Sequence, residues 1–240
     1  MATVVLLLSA GSPAFAQTPA GCAAPLPPTA WAAQAPAGSL ARLKQQLIRY
    51  RCTRYDADIA VVDHQAAAWI ARRARHVMRP ALVLDIDETS LSNWPVMVHN
   101  DFAYFRDGDC DLNAPRACGQ AAWEKSAAAP AIAPTLALFN AARAEGVAVF
   151  FVTGRRETAE ESKATETNLR SAGYDGWAGI FLRPPASHET SVSVFKASAR
   201  AQIEAQGYHI IANVGDQQSD VSGGHAERSF KLPNPFYYVP

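Results

Sequence analysis

Four short apolar runs set the architecture open to this chain. They are "ALVLD" (81–85), "VAVFFVTG" (147–154), "AGIFLR" (178–183) and "HIIANVGD" (209–216), each bounded by Gly, Pro or Asp. Between them lie "PTLALFNAARAEG", "ETAEESKATETNLRSAG" and "VSVFKASARAQIEAQG", which read as helices closing near a glycine. Runs apolar throughout, rather than alternating with polar residues, predict strands buried on both faces. Strands that alternate with helices run parallel, because each return needs a crossover. The expectation is an α/β fold, a Rossmann-like parallel sheet with helices on both faces.

Two further helices precede the first run. Ser39 is placed to cap "LARLKQQLIRYRC". "DADIAVVDHQAAAWIARRARHVM" has helical spacing, with basic residues near its C-terminal end, and Pro80 stops it. Residues 17–38 are rich in Ala and Pro and read as a linker. The remainder, 39–240, is expected to be one domain with a helical extension (39–79) and an insertion (90–130). That insertion breaks the alternation. It is rich in Trp, Phe, Tyr, Asp and Cys, and is expected to form a small cap.

Charge and hydropathy exclude several function classes. The chain has 22 basic and 22 acidic residues, so no field of one sign invites nucleic acid or an anionic membrane. After the N-terminus no apolar run is long enough to predict a transmembrane segment. The N-terminus itself, "TVVLLLSAGSPAFAQTP", is a short apolar run ending in Ala14-Phe15-Ala16. It reads as a signal peptide (1–16) cut after Ala16, although no Lys or Arg precedes Arg42. A lipid anchor at Cys22, in "PAGC", is the weaker alternative. Cys22, Cys52, Cys110 and Cys118 contain no C-x-x-C and have no histidine pair at zinc spacing nearby. Local disulfides Cys22–Cys52 and Cys110–Cys118 are expected, with periplasmic or secreted localisation.

Ligands of open parallel sheets bind at the carboxyl ends of the strands. There the runs present Asp85-Ile86-Asp87, then Thr153-Gly154-Arg155, and finally Asp216 with Asp220 beyond it; Lys196 comes from the intervening helix. Carboxylates gathered this closely repel one another, and a cation offsets that repulsion. Oxygen-only ligands favour a hard ion, and Mg2+ suits carboxylates together with substrate phosphate. A lysine and a threonine facing the same place supply donors to phosphoryl oxygens. No G-x-x-x-x-G-K-[ST] loop is present, which argues against a P-loop NTPase.

"LVLDIDET", "FFVTGR", "VFKASAR" and "NVGDQQSD", in that order, resemble the four motifs of the haloacid dehalogenase-like (HAD) superfamily. The D-x-D-E-T form, the "SNWP" after it and the "NVGDQQSD" ending are most similar to its secreted acid phosphatases (subfamily IIIB). Those comprise the bacterial class C type and the plant acid phosphatases and vegetative storage proteins. The resemblance spans about Leu82 to Pro240 and implies the HAD fold.

It implies that Asp85 is the nucleophile, forming an aspartyl-phosphate, and that Asp87 is the general acid and base. Thr153 and Lys196 would hold the phosphoryl oxygens. Mg2+ would be bound by the Asp85 carboxylate, the Asp87 carbonyl and Asp216, with Asp220 as a water-mediated or orienting partner. The implied partner is a small-molecule phosphomonoester, a nucleotide among the candidates, and the oligomeric state is left open. A narrower nucleotidase or phosphotransferase, or a non-catalytic storage protein, remain alternatives. Trp94, Phe102, Tyr104 and Phe105 are candidates to stack on a leaving group or to pack in the core, and Glu88 reads as structural. Arg155, Arg156 and Arg183 receive no assignment.

Overall fold

The computed structural model describes residues 22, 38–185 and 191–239. The expected signal peptide, and all of the linker but Cys22 and Gly38, lie outside them.

The centre is a five-stranded parallel sheet: β1 (Pro80–Leu84), β2 (Ala148–Arg156), β3 (Gly179–Arg183), β4 (His209–Gly215) and β5 (Ser229–Lys231), in the order β3-β2-β1-β4-β5. Four strands match the apolar runs. The fifth was not anticipated, because "SFK" buries one residue, Phe230, and carries no apolar run. After β1 the chain goes out to β2 and β3, then returns to the far side of β1 for β4. The switch point therefore lies at the C-terminal ends of β1, β2 and β4, where such sheets bind ligands.

The strands are buried on both faces, as their composition requires. Leu82, Leu84, Val149, Phe151, Ile211 and Val214 face one apolar layer, and Ala81, Val83, Phe150, Val152 and Ile210 face another. Helices α1 (Leu40–Thr53) and α2 (Tyr55–Arg73) precede the sheet. The insertion supplies α3 (Trp94–His99) and α4 (Gln120–Lys125). Helices α5 (Ala133–Ala144), α6 (Ala159–Ser171), α7 (Val192–Ala205) and α8 (Gln218–Val221) complete the set. The first layer is closed by Tyr55, Ile59, Ala66 and Ile70 of α2, by Leu138, Phe139 and Ala142 of α5, and by Leu169 of α6. Ala199 and Ile203 of α7 close the second.

Local sequence explains the helix ends. The Ser39, Thr158 and Ser191 hydroxyls accept from the amides of Arg42, Glu161 and Val194, capping α1, α6 and α7. Asp56 and Asp58 occupy the first turn of α2, and Arg72 and Arg73 its last, matching the helix dipole at both ends. Under the sheet Phe139, Phe151 and Tyr174 meet with ring centroids 5.1–6.1 Å apart. Each such pair contributes about 0.5–1.5 kcal/mol beyond its buried area.

Helix α2 is integral to this core. Its Trp69 indole donates to the Ile211 carbonyl (2.7 Å), and its Asp63 accepts from the Thr135 hydroxyl on α5 (3.0 Å). Both expected disulfides, Cys22–Cys52 and Cys110–Cys118, are present. The Cys22 sulfur is thus held in a disulfide and offers no thiol for a lipid. Among the described residues no helix is long and apolar enough to cross a membrane.

Candidate active site

Just beyond β1 the chain makes a tight turn. The amides of Thr89, Ser90 and Leu91 all point at the Ile86 carbonyl, at 3.3, 2.8 and 2.7 Å. Glu88 sits in the left-handed region (φ 55°), a conformation that costs a non-glycine residue about 1–2 kcal/mol. Its surroundings hold it there. Its amide donates to the Leu91 carbonyl, and its carboxylate accepts from the Asn93 amide (2.5 Å) and the Tyr237 hydroxyl (2.6 Å). This turn carries Asp85 and Asp87, and both side chains line one cavity of about 470 Å³.

The two aspartates have different partners. Asp85 is buried; its amide donates to the Val214 carbonyl, and its carboxylate accepts from the Lys196 ammonium at 2.6 Å. Burial and the Asp220 charge push its carboxyl well above the usual range, against the pull of Lys196. Asp87 is gripped by Arg155, which donates through Nε (3.1 and 3.2 Å) and a terminal nitrogen (2.7 Å), and by the Asn93 amide at 2.9 Å. Burial acts upward on Asp87 too, but Arg155 and Asn93 outweigh it and hold the group below its ordinary value. The same rim therefore holds one carboxyl pushed up and one pulled down.

Lys196 lies in the second turn of α7 and bridges Asp85 to Asp220. Burial disfavours its charge, yet the two carboxylates more than reverse that and keep it protonated. Asp220 is committed through both oxygens, one to Lys196 and the other to the Gln217 amide (2.7 Å) as the N3 partner of a capping box. This packing needs Gly215: a Cβ there would lie 2.3 Å from that of Asp220. Asp216, at the end of β4, accepts from the Thr89 hydroxyl (3.0 Å) on one oxygen. Its other oxygen accepts from the amides of Gln217 (2.5 Å) and Asn234 (2.7 Å). Burial and the neighbouring Asp220 push its carboxyl up to about 6.

One oxygen each of Asp85, Asp216 and Asp220 lie within 4.8 Å of one another, all three residues buried. The Lys196 ammonium pairs with two of these carboxylates, Asp85 and Asp220, and leaves Asp216 without a cationic partner on its carboxylate among the described residues. The donor set is hard and anionic, and it fits a divalent cation such as Mg2+. Asp85 and Asp216 both open on the cavity, whereas Asp220 acts through Lys196 and the turn.

Of the residues expected at the site, Asp85, Asp87, Lys196 and Asp216 line the cavity. Thr153 is buried one residue behind cavity-lining Gly154, and its hydroxyl accepts from the Arg155 amide (3.1 Å). A hydroxyl that accepts still has its own hydrogen to give. Phe102, Tyr104 and Phe105 line the cavity as well. Trp94 belongs instead to the core, packed on Phe102 and Phe236.

Sequence reasoning left Arg155 unassigned. It also overlooked Asn93, which joins Asp87, Glu88 and the Trp123 indole (2.7 Å), and Glu124 on α4. Burial and the Asp87 charge push Glu124 up to about 7. The signals available were slight: an arginine directly after the Thr-Gly pair, and "SNWP" after the aspartates.

Comparison with known proteins identifies the family. The family described as HAD superfamily, subfamily IIIB (Acid phosphatase) matches residues 33–240. The "Stem 28 kDa glycoprotein" of Glycine max is 34% identical over 188 residues, covering 77% of this chain and 70% of that one. "Acid phosphatase 1" of Solanum lycopersicum is 34% identical over 162 residues, covering 67% of this chain and 60% of that protein. The Class C acid phosphatase from Bacillus anthracis superposes with a TM-score of 0.63 over 81% of this chain and 86% of that one; at 20% identity the likeness speaks for the fold. The chain belongs to the HAD superfamily, subfamily IIIB, the acid phosphatases.

Proposed function

We propose that this chain hydrolyses phosphomonoesters through an aspartyl-phosphate on Asp85, with Mg2+ at the acidic cluster. The observation that carries the reading is Asp85 held by Lys196 beside Asp216, with Asp87 on the same cavity. Family membership supports the hydrolase class. Asp85, Asp216 and the Asp87 carbonyl are the ligands we assign, with Asp220 orienting them. The cation, when bound, neutralises charge on the nucleophile and on the phosphoryl oxygens.

Asp85 attacks phosphorus in line with the ester oxygen. Lys196 fixes that carboxylate and donates to the equatorial oxygens, joined by the Thr153 hydroxyl. Asp87 serves the leaving side. It hands a proton to the departing alkoxide, then takes one from the water that cleaves the acyl-phosphate. In the resting site Arg155 and Asn93 favour the ionised form, which suits the second role as it stands. The proton for the first role is the one that Asp87 takes from the attacking water in the preceding turnover, so the cycle balances with no outside donor.

The cavity wall of Phe102, Tyr104 and Phe105 supports a flat leaving group such as a nucleoside or aryl alcohol. The two disulfides support export to an oxidising compartment after cleavage at Ala16, which N-terminal sequencing of the mature protein checks. We take 39–240 as one domain, with 90–130 as its cap. The deciding assay is p-nitrophenyl phosphate hydrolysis with and without EDTA, beside Asp85→Asn. Turnover that ignores EDTA, or that survives Asp85→Asn, refutes the mechanism. No turnover by the unaltered chain under any metal supports the storage reading instead.

A further inference from the structure

The segment after β5 forms neither helix nor strand, yet it bonds repeatedly to the acidic rim. The Leu232 amide donates to the Gly215 carbonyl (2.9 Å), and the Lys231 ammonium donates to the Asp216 carbonyl (2.9 Å). The chain then turns back across the strand ends. Asn234 sits between Pro233 and Pro235, whose rings restrict the backbone on both sides. Its side-chain oxygen accepts from the amides of Phe236 (2.8 Å) and Tyr237 (3.4 Å), closing an Asx-type turn. With the oxygen so engaged, the nitrogen has one orientation left, and it donates to the Asp216 carboxylate at 2.7 Å. Further on, the Tyr237 hydroxyl donates to Glu88 (2.6 Å). The Val239 amide donates to the Gln217 side-chain oxygen (3.0 Å), and the nitrogen of that side chain is itself on Asp216. Phe236 anchors the segment between Tyr55 and Trp94, at ring distances of 5.1 and 5.4 Å.

We propose that the C-terminal segment 232–239 is a built part of the cation site, with Asn234 and Tyr237 as positioning residues: Asn234 aims Asp216, and Tyr237 holds the strained Glu88 turn that carries Asp85 and Asp87. The inference rests on the metal-dependent reading above. A carboxylate free to rotate would spread its oxygens over many directions. Here Thr89 takes one lone pair on one oxygen of Asp216, and Gln217 with Asn234 takes both on the other, so the one that remains points in a set direction. Two of these three donors depend on the segment, Asn234 directly and Gln217 through Val239.

The test is Mg2+ binding to the full-length chain by calorimetry, beside melting in EDTA. Asn234→Asp keeps the oxygen that closes the Asx turn but sets a carboxylate oxygen against Asp216. It should bind Mg2+ about 10–100-fold more weakly, and the added repulsion lowers its EDTA melting temperature too, so the stability control is Tyr237→Phe. Tyr237→Phe keeps the ring and removes only the bond to Glu88; its loss should be smaller, about tenfold or less, with the EDTA melting temperature unchanged. Binding at the unaltered affinity in both variants overturns the proposal. So does a loss of affinity that appears only together with a lower EDTA melting temperature, since that marks a merely structural segment. If the unaltered chain takes up no Mg2+, the metal-dependent reading fails and this inference falls with it.

Discussion

The rim of the sheet and the 90–130 insertion meet at one cavity but are built on different principles. On the rim nearly every polar group is buried and has a designated partner: Lys196 for Asp85, Arg155 for Asp87, and Thr89, Gln217 and Asn234 for Asp216. The insertion is two helices of six residues each, a disulfide, and loops that leave Tyr104 74% exposed and Phe105 43% exposed. A fixed rim suits charge development at phosphorus, where small displacements are costly. A more exposed wall suits contact with different leaving groups. On the proposed function, chemistry and selectivity would fall in regions of contrasting exposure.

The sharpest way to break this contrast is Asp85→Asn. It should cut kcat about 10⁴-fold or more while the melting temperature stays level or rises, because a buried and repelled carboxylate is lost. Collapse of the fold together with the activity would mean that the rim is a stability element.

Next in size is a group in the core layer below the rim. Asp63 is buried, with one oxygen on Thr135 and the other without a hydrogen-bond partner, and burial pushes its carboxyl up to about 7. In the unfolded chain its pKa is about 3.9, so between these values the folded state binds the extra proton. Stability contributed by protonated Asp63 is therefore full below about pH 4 and is lost as pH rises through 7. Asp63→Asn should remove that slope and gain on the order of 2–4 kcal/mol at neutral pH, read from urea midpoints between pH 4 and 8.

On the insertion side, replacing Cys110 and Cys118 by Ser should cost about 2–3 kcal/mol at most, given the short loop closed. Limited proteolysis should then cut first within 101–119, with turnover of p-nitrophenyl phosphate retained. Smallest is Tyr104→Ala. Loss of a stacking surface of about 1–2 kcal/mol should raise KM for nucleoside monophosphates roughly 5–30-fold, while kcat on a small alkyl phosphate holds. A uniform fall across all esters would place Tyr104 with the rim instead.

The same contrast governs what could be read in advance. Strand ends that present polar residues after apolar runs are a local pattern; it marked Asp85, Asp87, Thr153 and Asp216 as candidates, and Lys196 and Asp220 came from the helices that follow. Arg155 was not. In sequence it is one charge after a glycine, and only its pairing with Asp87, 68 residues away, explains why it is buried. Asn234 and Tyr237 were hidden for a related reason: a segment without periodicity gives no face to assign, and its role lies wholly in partners brought near by folding. Strand β5 was too short to register, and Trp94 was ambiguous between wall and core until Phe236, from the other end of the chain, was seen packed on it.

Helix α2 has a consequence for modularity. It is the longest helix among the described residues, and it forms one wall of the core, with Trp69 bonded to β4 and the Tyr55 hydroxyl reaching the Glu88 carbonyl. A cut placed at Pro80, where the alternation of strands and helices begins, would leave β1 and β4 open to water along one face. The motif-bearing part is thus not self-contained: a fragment meant for grafting, fusion or expression should start upstream of Tyr55, because a piece bounded by the four motifs lacks one wall of its core.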